Sequence, residues 1–341
     1  MARNGPESTA GARLIRVGSR SSELAMIQSE TIVAALKKLH PELEVQITTM
    51  KTIGDKILDK PLPAIGQTNL FTKELETALA GGQIDLIVHS LKDLPTTIAP
   101  EMKVAVIFKR DKSTDAVVLH SKHKGKRLQE LPSGSVVGTS SLRRIAQLKR
   151  ICPDLVFKSV RGNLNTRMKK LDESGEYDAL VLATAGLERL GWLDRIDQEL
   201  DSSECMYAVG QGALAVETRA SDDSTNALLE QLNDMESVLC CAAERSFLHS
   251  LSGGCSVPVG VFSEVRDSEL FLEGAVFSLN GSEMIKSSAG VRLPTGYAEK
   301  SVAFWLSQGE QLGKELGAEL LAKGASPILA KAKEESEIGR D

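Results

Sequence analysis

Two short runs constrain this chain more than anything else in it. Ile84-Asp-Leu-Ile-Val-His89 and Tyr177-Asp-Ala-Leu-Val-Leu-Ala183 each open beside an acidic residue, continue as an unbroken apolar stretch and end in a polar turn. Apolar strands without alternation belong to parallel sheets covered on both faces. What precedes the first run fits that reading. Leu14-Ile-Arg-Val-Gly18 reads as a strand, and Ser21 or Ser22 can cap a following helix. Ala25, Ile32, Leu36 and Leu39 fall on one helical face, His40-Pro41 ends it, and Leu43 to Met50 reads as the next strand. This β-α-β start implies a parallel sheet with a right-handed crossover. A helix over Thr72 to Ala80, stopped by Gly81-Gly82, leads into the first run.

The second run has similar surroundings. Ala116 to Leu119 and Ser135 to Gly138 read as strands, Leu142 to Arg150 and Leu164 to Ser174 as helices. The chain therefore predicts two similar α/β lobes whose strand ends face a cleft, the place where open α/β sheets bind ligands. Val209-Gly-Gln-Gly212 reads as a crossing back to the first lobe. From Asp234 the pattern changes. A helix over Val238 to Leu251 is followed by alternation in Val257–Phe262, Leu270–Phe277 and Ile285–Val291, the mark of antiparallel strands. Leu312, Leu316 and Leu320 mark a last amphipathic helix. The expected fold is α/β: two lobes with mainly parallel sheets and a small α+β third domain with an antiparallel sheet. The expected division is 14–110 with 212–232, then 114–206, then 234–330, with 1–13 and 331–341 as flexible termini.

Composition excludes several classes. At 341 residues the chain is too long for one ordinary core. No apolar run approaches the ~18 residues of a membrane span, so no membrane partner is expected. Met1 to Arg13 has no hydrophobic segment and reads as a floppy leader, not a secretory signal. Five cysteines, an odd number without metal spacing, argue against a disulfide framework and for a reducing, cytoplasmic setting. The histidines show no ligand spacing, and no metal is expected.

Charge is uneven. Between Thr139 and Lys170 there are nine basic residues and one acid, Asp154, in a chain of net charge −5. Lys169 and Lys170 read as solvated helix surface. The arginines are more telling, because guanidinium forks grip carboxylates or phosphates bidentately. Arg143 and Arg144 follow Thr139-Ser140-Ser141, where a helix N-terminus would offer free amides to an anion. Nucleic acid is the rival ligand, but only Phe157 could stack a base here and the chain is acidic. A small polycarboxylate or phosphate is favoured. Ser90, Lys92 and Asp93 cluster at the end of the first apolar run, where an acid-base carboxylate would be useful. Ser19-Arg20 ends the first strand, and Thr52 to Lys56 reads as a loop or lid. Gly210-Gln-Gly212 lacks the Lys-Ser/Thr of a phosphate loop. Cys255 sits behind Gly253-Gly254 and ahead of Pro258, a loop where a thiol can be reached. The other cysteines read as packing residues.

His89-Ser-Leu-Lys-Asp-Leu-Pro95, Gly138-Thr-Ser-Ser-Leu-Arg-Arg144, Arg161-Gly-Asn-Leu-Asn-Thr-Arg167 and Gly253-Gly-Cys-Ser-Val-Pro258 stand in this order. Together they resemble the hydroxymethylbilane synthase (porphobilinogen deaminase) family over roughly residues 14 to 330. The resemblance implies lobes like those of periplasmic binding proteins and a dipyrromethane cofactor joined by a thioether to Cys255. It implies a transferase that condenses four porphobilinogen molecules head to tail with loss of ammonia, then releases the linear tetrapyrrole hydroxymethylbilane by hydrolysis to a downstream synthase. It implies that Ser90, Lys92, Thr139, Ser140, Ser141, Arg143, Arg144, Arg161, Gly162, Ala183 and Gln211 hold the cofactor. Arg20, Arg167 and Arg189 would hold substrate, Asp55 and Phe71 would border the site, and Asp93 would be the catalytic carboxylate. A monomer is expected. The rival reading is a two-lobed receptor for a small dicarboxylate or phosphate, with Cys255 a bystander.

Overall fold

The computed structural model describes residues 13–50, 72–251 and 257–338. The first stretch of chain supplies β1 (Leu14–Arg20), α1 (Glu23–Leu39), β2 (Glu44–Met50), α2 (Lys73–Ala80), β3 (Leu86–Ser90) and β4 (Met102–Ile107). After a crossing come β5 (Asp115–Leu119), β6 (Val136–Gly138), α3 (Leu142–Ile151), β7 (Val156–Lys158), α4 (Leu164–Glu173), β8 (Ala179–Ala183), α5 (Thr184–Arg189) and β9 (Gln198–Leu200). A second crossing returns the chain to β10 (Leu214–Arg219) and α6 (Asp223–Leu229).

The two sheets share one plan. Their orders are β2-β1-β3-β10-β4 and β7-β6-β8-β5-β9. In each, the first three strands pair in parallel and the fourth runs antiparallel to both neighbours. Only that fourth strand is reversed, so both sheets are mainly parallel, as expected. The acidic residue before each apolar run has a structural task. Asp85 donates its amide to the Arg16 carbonyl (2.8 Å) and accepts the Arg16 amide on Oδ2 (2.9 Å). Asp178 does the same to Val136, at 2.8 and 2.7 Å. Each carboxylate thus clamps the start of the neighbouring parallel strand, at the edge away from the cleft. Burial works to raise the Asp178 carboxyl, but Lys122, the Val136 amide and His123 hold it down at about 2.

The reversed strands carry their first residues to the opposite, cleft edge. Asp115 lies across from Ala183, and Leu214 across from Ser90. β4, β7, β9 and β10 were not foreseen. In β10 the charged Glu217 interrupts the apolar run, and it is buried because His89 Nε2 lies 2.9 Å from its Oε2.

The remaining chain forms α7 (Met235–Ser250), an antiparallel sheet of β11 (Val259–Arg266), β12 (Glu269–Phe277) and β13 (Met284–Arg292), then α8 (Val302–Ala322) and α9 (Ala325–Ile338). Its core joins Leu239, Phe247, Val261, Leu272, Leu316 and Leu320. Gly309, Gly313 and Gly317 form a stripe at helical spacing that lets α8 lie backbone to backbone on α7. A Cβ on Gly309 would stand 2.5 Å from the Leu239 carbonyl oxygen, and one on Gly313 would run into the Ala243 carbonyl. Helix α9 runs into the tail expected to be flexible, as far as Ile338. Ile328, Leu329 and Ala332 are buried, so packing carries α9 on. Among the described residues, no helix is long and apolar enough to cross a membrane.

Candidate active site

Most of the expected site residues that are described emerge from the carboxyl ends of parallel strands. Arg20 ends β1, Ser90 ends β3, and Lys92 and Asp93 lie in the single 3-10 turn that follows. In the second lobe Thr139 to Ser141 follow β6, Arg161 and Gly162 follow β7, and Ala183 ends β8. Ser141 caps α3, its Oγ accepting the Arg144 amide, and Asn163 caps α4 by accepting from Thr166. Gly162 adopts φ +112°, a left-handed conformation in which a side chain would also meet Thr166. Its carbonyl accepts Arg167 Nε at 2.8 Å. Asp55, Phe71 and Cys255 lie outside the described residues.

The two lobes meet electrostatically. Burial lowers Arg167 to about 10, with the charges of Arg144 and Arg161 adding to the effect and Asp93 opposing it. Lys92 is pulled down to about 8 by burial, against Asp93 and Asp115 and with help from Arg144 and Arg143. Arg161 is lowered by burial as well. Arg144 Nε and Arg161 Nη1 are buried without a hydrogen-bond partner. A buried charged donor left unpaired is costly, so this edge is built to receive anions. That is the donor set a dipyrromethane with its acetate and propionate groups requires, and the residues present fit it.

Arg143 and Arg189, both expected to hold ligand, are engaged by partners within the protein. Arg143 Nη1 donates to Asp115 Oδ2 (2.7 Å) and the Met206 carbonyl (2.7 Å) and is buried with them. Arg189 donates to Asp111 (2.9 Å) and to the Gly212 carbonyl (2.7 Å), tying the two crossings together. Gly212, at φ +88°, passes so close to the other crossing that a Cβ would sit 2.6 Å from the Asp111 carbonyl oxygen. The glycines of Gly210-Gln-Gly212 serve this passage. Gln211 is fully buried and donates to Asp115 Oδ1 (2.8 Å), while Lys92 Nζ lies 3.4 Å from its Oε1.

The sequence reading missed Asp115 and Gln28. Asp115 opens an apolar run as Asp85 and Asp178 do, which was its signal. Gln28 is a polar residue on the buried face of α1, and its Nε2 donates to Ser90 Oγ at 2.9 Å. Arg20, Gln28, Thr72, Ser90 and Asp93 line one small hollow. The four described cysteines are all buried, and burial pushes Cys205 and Cys240 to about 12.

Comparison with known proteins agrees with this chemistry. Residues 15–227 match the family described as "Porphobilinogen deaminase, dipyromethane cofactor binding domain", and residues 238–322 match its C-terminal domain. The porphobilinogen deaminase of Synechococcus elongatus is 46% identical over 318 residues, covering 93% of this chain and 95% of that one. That of Dictyostelium discoideum is 44% identical over 322 residues, covering 92% and 95%. Among solved structures, the BenM effector-binding domain with benzoate is 16% identical at a TM-score of 0.40, over 64% of this chain and 90% of that one. The long matches and the anion-hungry strand edge lead to one conclusion: this chain belongs to the porphobilinogen deaminase family.

Proposed function

We propose that this chain is a hydroxymethylbilane synthase that joins four porphobilinogen molecules head to tail with loss of ammonia and releases the linear product by hydrolysis. The buried, unpartnered donors Arg144 Nε and Arg161 Nη1, beside Arg167 and Lys92, carry this reading. They form a surplus of positive charge in an acidic protein, suited to a ligand rich in carboxylates. When bound through Cys255, the dipyrromethane supplies the primer pyrrole. Arg144, Arg161 and Lys92 bind its carboxylates, with Ser90, Thr139, Ser140, Ser141, Gly162, Ala183 and Gln211 around them. Arg20 and Arg167 orient the incoming substrate, while Arg143 and Arg189 act through Asp115 and the crossings. Asp55 and Phe71 border the site.

Asp93 is the catalytic carboxylate. Departure of ammonia from the substrate's aminomethyl carbon leaves a cationic pyrrole, and a carboxylate beside the pyrrole N–H stabilises that charge. We assign residues 14–110 with 212–232 and 114–206 to the walls of the cleft, and 234–330 to the carrier of Cys255. The protein is proposed to act as a cytoplasmic monomer, handing its product to a downstream synthase.

Intact mass spectrometry tests the reading. The purified chain is expected to exceed its sequence mass by two pyrrole units, and Cys255→Ser is expected to return to the sequence mass. A wild-type chain at its sequence mass after exposure to porphobilinogen would favour a receptor. An adduct persisting in Cys255→Ser would move the attachment to another cysteine.

A further inference from the structure

Asp115 is fully buried at the cleft edge, on the first residue of the reversed strand β5. Its Oδ1 accepts Arg144 Nη2 (2.6 Å) and Gln211 Nε2 (2.8 Å), and its Oδ2 accepts Arg143 Nη1 (2.7 Å). Arg144 Nη1 is spent on the Val181 carbonyl (2.8 Å), which leaves Nε as the donor without a partner. Gln211 in turn offers its Oε1 to Lys92 of the first lobe. One carboxylate therefore stands behind three cations from both sides of the cleft.

We propose that Asp115 is a positioning residue for cofactor capture: it fixes Arg143 and Arg144 directly and Lys92 through Gln211, so that Arg144 Nε and Lys92 Nζ stay available to an incoming carboxylate. A buried arginine pair without its counter-charge would repel itself and turn its forks elsewhere. Asp115 also helps keep Lys92 protonated, together with Asp93 and against Arg143 and Arg144. This inference rests on the functional reading above.

The test uses full-length chain produced without cofactor. Wild type, Asp115→Asn and Asp115→Glu are each incubated with porphobilinogen, and the fraction gaining the two-pyrrole mass is followed across pH, with circular dichroism to select folded protein. Asp115→Asn is expected to load at least about tenfold more slowly, the loss expected when a hydrogen bond to a charged group is removed. The alkaline limb of its loading profile is expected to move to lower pH, because Lys92 loses an anion. Asp115→Glu keeps the charge but shifts the forks, so it is expected to load at an intermediate rate with the limb close to wild type. A purely structural role predicts folded variants that load at the wild-type rate with an unmoved limb, and that result overturns the proposal. Should Asp115→Asn fail to fold, wild-type loading by folded Asp115→Glu overturns it equally. A wild-type chain that never gains the mass removes the functional reading, and this inference with it.

Discussion

Asp93 stands in a 3-10 turn directly after a strand whose buried residues Leu86, Ile87 and Val88 fix its position. A rigid sheet thus aims an exposed carboxylate at a cationic cleft. Asp93→Asn is expected to lower turnover by about 10²–10⁴ while substrate still binds, and Asp93→Glu to keep a trace of activity. Steady-state rates on cofactor-loaded protein check this, and near-normal turnover in Asp93→Asn ends the catalytic assignment. Lys92 gives a second handle. Its pKa is lowered to about 8, so its charge is present below that pH and lost above it. Loading of cofactor-free protein should therefore decline as pH rises through about 8. A decline only near the ordinary lysine value of about 10.4 would mean that Lys92 does not bind the ligand. Arg161 has a buried Nη1 waiting for an acceptor. Arg161→Leu should weaken loading about tenfold or more, and Arg161→Lys should rescue it only in part because the fork is gone. Wild-type loading by both would remove Arg161 from the site.

At the scale of elements, the α7–α8 pair is the most exacting contact in the third domain. Gly313 lies where a methyl group would strike the Ala243 carbonyl, so Gly313→Ala forces the helices apart. A loss of roughly 1–3 kcal/mol is expected by urea unfolding, the usual cost of overpacking. An unchanged midpoint would mean that the helices separate freely. α7 ends at Ser250, five residues before Cys255 in the sequence, so the same variant should also slow loading. This stripe shows what sequence reading could and could not reach. Leu312, Leu316 and Leu320 announce an amphipathic helix, but glycines at the same spacing look like weak points until the neighbouring backbone is seen. The strands β3 and β8 were legible because their apolar runs are continuous, and β1 and β2 because they flank a capped amphipathic helix. β7 and β9 are three residues each, too short to carry a pattern. The ligand arginines were legible as a type, but which of them face inward depends on Asp115, and its partners lie far away in sequence.

The whole molecule is joined at Arg110. Its guanidinium grips Glu244 of α7 bidentately (2.6 and 3.1 Å), its Nε donates to the Gln211 carbonyl (2.8 Å), and its Cζ lies 4.9 Å from the Tyr207 ring centroid. Glu244 also accepts the Gly210 amide (2.7 Å) and Ser263 Oγ (2.6 Å). Both crossings and the third domain thus share one ion pair, whose carboxylate, Glu244, is fully buried. Glu244→Gln strands the Arg110 charge and is expected to cost about 3–5 kcal/mol, read as a shift of the denaturation midpoint. Wild-type stability would show that the junction is held by apolar contacts alone.

The place of β10 also sets an order of events during synthesis. The first sheet is closed by a strand that the ribosome makes after the entire second lobe, since β10 inserts between β3 and β4. A chain grown only to Ala213 has both of those strands with a bare edge toward the gap, the kind of edge that recruits other chains. The second sheet has all its strands once Leu200 is made. The middle of this polypeptide can therefore fold first. The lobe that is translated earliest is finished later, and the time between residues 107 and 214 is when the nascent chain is most exposed to aggregation.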